Sequence, residues 1–149
     1  MEQLLNSQSK KGLKIVVDVM LVEDDHSQIV LIKKSFKRSK LADLDYKLTI
    51  KRNGQDAIDS LDTGYRPNFI LADIKMPIMN GIELLKKLKE SALKRIPVII
   101  LTTSELEANE AYEAGASFYL LKPVNFRELD NVVKALGILS KNGRFPKWD

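Results

Sequence analysis

Four short stretches hold the residues that could do chemistry. Glu23-Asp24-Asp25 sets three carboxylates in a row after the apolar Val19-Met20-Leu21-Val22. Asp73 is a single carboxylate closing Phe69-Ile70-Leu71-Ala72, with Met76-Pro77 and Asn80-Gly81 just beyond it. Thr102-Thr103-Ser104 follows Val98-Ile99-Ile100-Leu101, and Lys122-Pro123 follows Ser117 to Leu121. Taken singly, each has an ordinary reading: a turn-forming Asp, surface acids, a helix cap, a surface lysine. Brought to one place they would form a crowded acid cluster, which raises carboxylate pKa values and strains the fold more as pH rises. A hard divalent cation relieves that strain. Mg²⁺ takes a few carboxylates, waters and a phosphate oxygen. Lys122 would then offer a point charge to a phosphoryl group and Thr102 a hydrogen bond. An Asp carboxylate in such a setting is a nucleophile able to form an acyl phosphate.

What must position these residues is an alternation of strands and helices. Val19 to Val22, Phe69 to Asp73 and Val98 to Thr102 are short apolar runs, as in strands buried on both faces. Tyr46 to Lys51 alternates, which suits a strand nearer an edge, and Ser117 to Leu121 is the last strand. Helices are expected over Ser27 to Lys40, Gln55 to Leu61, Ile82 to Leu93 and Glu105 to Ala114. The fifth carries the stripe Phe126, Leu129, Val133 and Leu136. Asn80/Glu83, Ser104/Glu107 and Asn125/Glu128 have capping-box spacing, each just after a strand. Five strands alternating with five helices give an α/β fold with a parallel, doubly wound sheet. In such folds ligands bind beyond the carboxyl ends of the strands, where all four stretches fall.

Composition narrows the classes. The chain has 149 residues, 44% hydrophobic and 30% charged, which suits one globular domain at 18–139 between polar tails at 1–17 and 140–149. There is no cysteine and a single histidine, His26, so disulfides, thiol catalysis and multi-histidine metal sites are excluded. A net charge of +4 does not argue for nucleic acid, because the lysines fall on solvated helix faces. No apolar run reaches membrane-spanning length and no signal peptide is evident, so the expected location is cytoplasmic.

Several motifs together resemble the receiver domain of two-component response regulators, the family of the chemotaxis regulator. They are Leu21-Val22-Glu23-Asp24-Asp25, the Asp-x-x-Met-Pro-x-Met-x-Gly run from Asp73 to Gly81, Pro97 to Thr102, and Gly115-Ala116 through Lys122-Pro123. The resemblance implies a CheY-like, flavodoxin-like sheet in the order 2-1-3-4-5. By motif, Asp73 resembles the phosphoacceptor and Asp24 and Asp25 the acidic Mg²⁺ pair. Lys75 resembles the residue whose carbonyl is a metal ligand. Thr102 resembles the switch hydroxyl, Tyr119 the switch aromatic, and Lys122 the phosphate-contacting lysine. Lys75 and Ser104 stand where the family tunes dephosphorylation. The Lys122-Pro123 bond is expected to be cis. Within the family the chain looks most like the small stand-alone regulators associated with bacterial phytochromes.

The function so implied is acceptance of a phosphoryl group from a sensor histidine kinase, phytochrome-type or hybrid, onto Asp73 with Mg²⁺. Thr102 and Tyr119 would then switch the face made by helix four, strand five and helix five, Glu105 to Leu139. That face would meet a partner or a second copy of the chain. With no output domain after residue 149, output is expected through binding, and Phe145 and Trp148 could join a dimer contact. Three rivals share parts of the pattern: a phosphorylation-independent adaptor, a Mg²⁺-dependent aspartyl phosphohydrolase, and a flavin-binding domain. The intact acid, hydroxyl and ammonium set argues against the first. Lys75 stands where the second usually has an acid, and acidic strand ends would repel a flavin phosphate.

Overall fold

The computed structural model describes residues 15–41 and 44–136. The tail at 140–149, with Phe145 and Trp148, lies outside them, as does most of the segment 1–17.

Among the described residues, five strands alternate with five helices. The strands are β1 (Ile15–Val22), β2 (Leu44–Lys51), β3 (Phe69–Asp73), β4 (Val98–Thr102) and β5 (Phe118–Leu121). The helices are α1 (His26–Arg38), α2 (Gly54–Asp62), α3 (Gly81–Lys89), α4 (Glu105–Glu113) and α5 (Phe126–Ala135). All strand pairs are parallel and the order is β2-β1-β3-β4-β5, as expected. None of the described helices is long and apolar enough to cross a membrane.

Every residue of β3 and β4 is buried, which explains why they are apolar up to their last residues, Asp73 and Thr102. Val17, Val19, Leu21, Phe69, Leu71, Ile99 and Leu101 pack on one face of the sheet with α1 and α5. Met20, Val22, Ile70, Ala72, Val98 and Ile100 pack on the other with α2, α3 and α4. Fully burying one such side chain contributes about 1.5–3 kcal/mol.

Three differences from the sequence reading have local causes. β1 begins at Ile15, inside the segment expected to be tail, because Ile15 to Val22 pairs with Leu44 to Lys51 along its full length. Its first residues, Ile15-Val16-Val17, are apolar and adjoin the polar run Asn6 to Gly12, and Asp18 interrupts them before the buried Val19 to Val22. α3 stops at Lys89 and not at Leu93: the Ser91 hydroxyl donates to the Leu88 carbonyl (2.9 Å) and accepts from Leu93 N–H (3.0 Å), closing a turn. Of the three capping boxes, only Asn80/Glu83 closes both arms among the described residues. At Ser104 and Asn125 the cap oxygen accepts from the N–H three residues on.

Candidate functional site

Strand register assembles the site. Val22 pairs with Ala72, so the next residues, Glu23 and Asp73, leave the sheet side by side. Asp73 pairs with Leu101, which places Thr102 one step beyond. Lys122 N–H donates to the Thr102 carbonyl (2.8 Å), bringing the lysine to the same edge.

Asp73 is held by its backbone. Gly81 packs so closely that a Cβ there would collide with the Asp73 carbonyl oxygen and meet the Ile74 Cα at 3.0 Å. Gly81 N–H also donates to the Ile74 carbonyl (2.9 Å). Glycine is required there for close approach. Between them the chain makes a three-residue turn, Met79 N–H to the Pro77 carbonyl (2.7 Å), with Ile78 at φ +68°. That conformation is strained for a β-branched residue, and Ile78 is 79% exposed.

The Lys122 ammonium lies 3.1 Å from Glu23 Oε1 and 3.2 Å from Asp73 Oδ2. Glu23 is fully buried. Burial, then the hydrogen bond and charge of Asp73, push its carboxyl up to about 7, against the opposing pull of Lys122. Burial alone would lower the Lys122 ammonium, but the charges and hydrogen bonds of Asp73 and Glu23 outweigh it and leave it raised. The bond from Lys122 to Pro123 is cis. The loop beyond is tied to α1, where the Ser35 hydroxyl donates to the Val124 carbonyl (2.9 Å). Buried Asp130 on α5 accepts from the Ser39 hydroxyl and from Lys40 N–H (2.9 Å) at the end of α1.

The acid cluster differs by one residue from the pair read in the sequence. Glu23, Asp24 and Asp73 bring carboxylate oxygens within 4.8 Å of one another. Asp25 is not among them. Its carboxylate caps α1, accepting from Ser27 N–H (2.8 Å), Ser27 Oγ (2.6 Å) and Gln28 N–H (3.3 Å). Those bonds hold it below the usual carboxylate range. The missed residue is Glu23, and a signal for it was present: an Asp just before a helix is an N-cap by default, which moves the acidic pair back to Glu23-Asp24. The three clustered acids form an all-oxygen donor set, one that fits Mg²⁺ or a similar hard cation. One ammonium among three acids leaves negative charge for such a cation to offset.

The remaining predicted residues lie around this cluster at different depths. Thr102 is 3% exposed. Its hydroxyl accepts from Ser104 N–H (3.1 Å) and points toward the Ser104 carbonyl (3.3 Å) and Glu107 Oε1 (3.5 Å), not toward Asp73. Tyr119 stands edge-on to Tyr112 with ring centres 5.6 Å apart. Lys75 is exposed and borders an open cleft with Asp24, Ile74, Met76, Pro77 and Asn80. Arg52 reaches across from the end of β2 to the Asp24 carbonyl (3.4 Å). His26 is the exposed first residue of α1.

Comparison with known proteins places this geometry. Residues 19–134 match the response regulator receiver domain. The response regulator Rcp1 of Synechocystis is 35% identical over 127 residues, covering 79% of this chain and 84% of its own. The structure of its Mn²⁺-bound form superposes with a TM-score of 0.65 at 31% identity, covering 88% of this chain and 99% of that one. The bacteriophytochrome response regulator RtBRR gives a TM-score of 0.74 at 33% identity, over 83% of this chain and 80% of that one. The phosphorylated cyanobacterial phytochrome response regulator RcpA gives 0.68 at 28% identity, over 89% and 100%.

Proposed function

Because the chain belongs to the response regulator receiver family, we propose that it takes a phosphoryl group from a phosphohistidine of a partner kinase onto Asp73. The observation that carries this is the bridging position of Lys122, within 3.2 Å of Asp73 and 3.1 Å of Glu23 at the rim of an acid cluster. An ammonium so placed can follow one Asp73 oxygen and meet the phosphoryl oxygens as they arrive.

An Asp73 oxygen attacks phosphorus in line, the P–N bond to the imidazole breaks, and the imidazole nitrogen keeps the electron pair and takes a proton. The chain's contribution is mainly position and charge. Gly81 and the Met76-Pro77 turn hold the Asp73 backbone still. Lys122 balances the charge of the transferred group. Glu23, Asp24 and Asp73, with the Lys75 carbonyl, would hold Mg²⁺, which when bound neutralises negative charge on the acids and the phosphoryl group. Lys75 and Ser104 flank the site and would set how long the acyl phosphate survives attack by water.

The new dianion would draw the Thr102 hydroxyl toward it, and Tyr119 would follow, biasing an equilibrium between two arrangements. The readout surface is then α4, β5 and α5. Leu106 is 79% exposed and Tyr112 43% exposed there, apolar surface that a partner or a second copy could cover. The likeness to a bacteriophytochrome and a cyanobacterial phytochrome response regulator supports a phytochrome-type histidine kinase as the donor.

Phosphotransfer tests this. A kinase labelled on its histidine loses label to the wild-type chain within minutes. The Asp73→Asn chain takes none. Label reaching both chains equally would overturn the assignment.

A further inference from the structure

Asn80 and Ser104 begin two helices with the same capping spacing, yet only the first closes its box. At Asn80 the backbone N–H donates to Glu83 Oε1 (3.2 Å) while Glu83 N–H donates to Asn80 Oδ1 (2.9 Å). At Ser104 the equivalent N–H is taken by Thr102 Oγ1 (3.1 Å). Glu107, which stands where Glu83 stands in α3, lies instead at the long limit of contact with that same Thr102 hydroxyl (3.5 Å). The Thr102 hydroxyl occupies the acceptor position at Ser104 that the Glu83 carboxylate occupies at Asn80.

We infer that Glu107 is a positioning residue for the switch, exchanging with Thr102 as the acceptor for the Ser104 N–H. The inference rests on Thr102 moving toward a phosphorylated Asp73. A hydroxyl can accept from one group while donating to another, so the exchange requires that the rotation carrying Thr102 Oγ1 toward the phosphoryl group takes it out of range of the Ser104 N–H, which it now meets at 3.1 Å. When it leaves, the N–H at the start of α4 loses its partner, which is unfavourable for a half-buried donor. Glu107 has the spacing to replace it, as Glu83 does in α3. Its present contact is too long to hold it in place. The cap of α4 is thereby coupled to the state of Asp73: Thr102 caps it before phosphorylation and Glu107 caps it afterwards.

Amide hydrogen exchange at Ser104, resolved by NMR, tests this without any phosphoryl chemistry. Without ligand, Ser104 stays protected in Thr102→Val, because Glu107 takes over, and in Glu107→Ala, because Thr102 remains. In the double variant it exchanges on the order of tenfold faster. Loss of protection already in Thr102→Val, or full protection in the double variant, would overturn the exchange. Adding Mg²⁺ with beryllofluoride, a phosphoryl mimic, then links it to the switch. Ser104 stays protected in the wild type and loses protection in Glu107→Ala only when the mimic is bound. Unchanged protection in Glu107→Ala with the mimic bound would break that link. If the mimic causes no shift at Asp73, the phosphoacceptor reading fails, while the ligand-free comparison still decides the cap exchange.

Discussion

Lys122 bridges Glu23 and Asp73, 3.1 Å from one carboxylate and 3.2 Å from the other. The two acids come from adjacent strands and are both buried, so the ammonium holds together a pair that would otherwise repel. Removing one partner of a buried ion pair is costly because the other charge stays behind. Lys122→Met is therefore expected to destabilise the metal-free chain by about 3 kcal/mol. Saturating Mg²⁺ should recover part of this in thermal unfolding. A melting temperature indifferent to both changes would contradict the bridge.

The raised Glu23 carboxyl makes stability depend on pH in a definite direction. Its folded value is about 7 and its ordinary value 4.5, so between them the native state holds more protons than the unfolded one. Without Mg²⁺, stability therefore falls as pH rises from about 4.5 to about 7, by at most on the order of 3 kcal/mol, and levels off above that. Glu23→Gln should flatten the slope. Urea unfolding across this range measures both.

Calorimetric titration with Mg²⁺ separates the acids by role. Glu23→Ala and Asp24→Ala are expected to weaken binding at least tenfold, as loss of a carboxylate from a small oxygen cage should. Asp25→Ala should lower the melting temperature, because α1 loses its cap, and leave Mg²⁺ affinity within about twofold. A large affinity loss in Asp25→Ala would restore Asp25 to the metal pair.

Ile78 at φ +68° stores strain in the turn beside Asp73. Ile78→Asn keeps the turn with a residue that tolerates this backbone and should stabilise the chain by about 1 kcal/mol. Chemical denaturation measures it. Destabilisation would mean that the exposed isoleucine makes contacts that outweigh its backbone strain.

Much of this was legible in the sequence, and the misses have physical causes. β3 and β4 are legible to the residue because full burial makes them apolar up to the closing Asp73 and Thr102, and Pro97 and Met76-Pro77 mark their limits. Asp73, Thr102 and Lys122 were placed at one edge by strand order alone. The start of β1 is hidden in the sequence because Asp18 separates Ile15-Val16-Val17 from the uninterrupted apolar run Val19 to Val22, and only pairing with β2 along its full length shows that the strand includes them. Three adjacent acids carry no mark of direction, so the sequence does not reveal that the acid cluster takes Glu23 and Asp24 and leaves Asp25 to the cap. Only the fold shows that Glu23 turns inward to Lys122 while Asp25 turns to the helix. A buried Glu is rare enough that surface exposure is the natural first reading. The cap at Ser104 was read correctly in spacing, but a hydroxyl from the preceding strand competes for its N–H, and no local pattern reveals that.

The central claim is that Asp73 accepts a phosphoryl group covalently. Incubation with acetyl phosphate and Mg²⁺, followed by intact-mass measurement, tests it most directly. A gain of one phosphoryl group is expected on the wild-type chain, none on Asp73→Asn, and none when Mg²⁺ is chelated. No gain on the wild type, or an equal gain on Asp73→Asn, would contradict it.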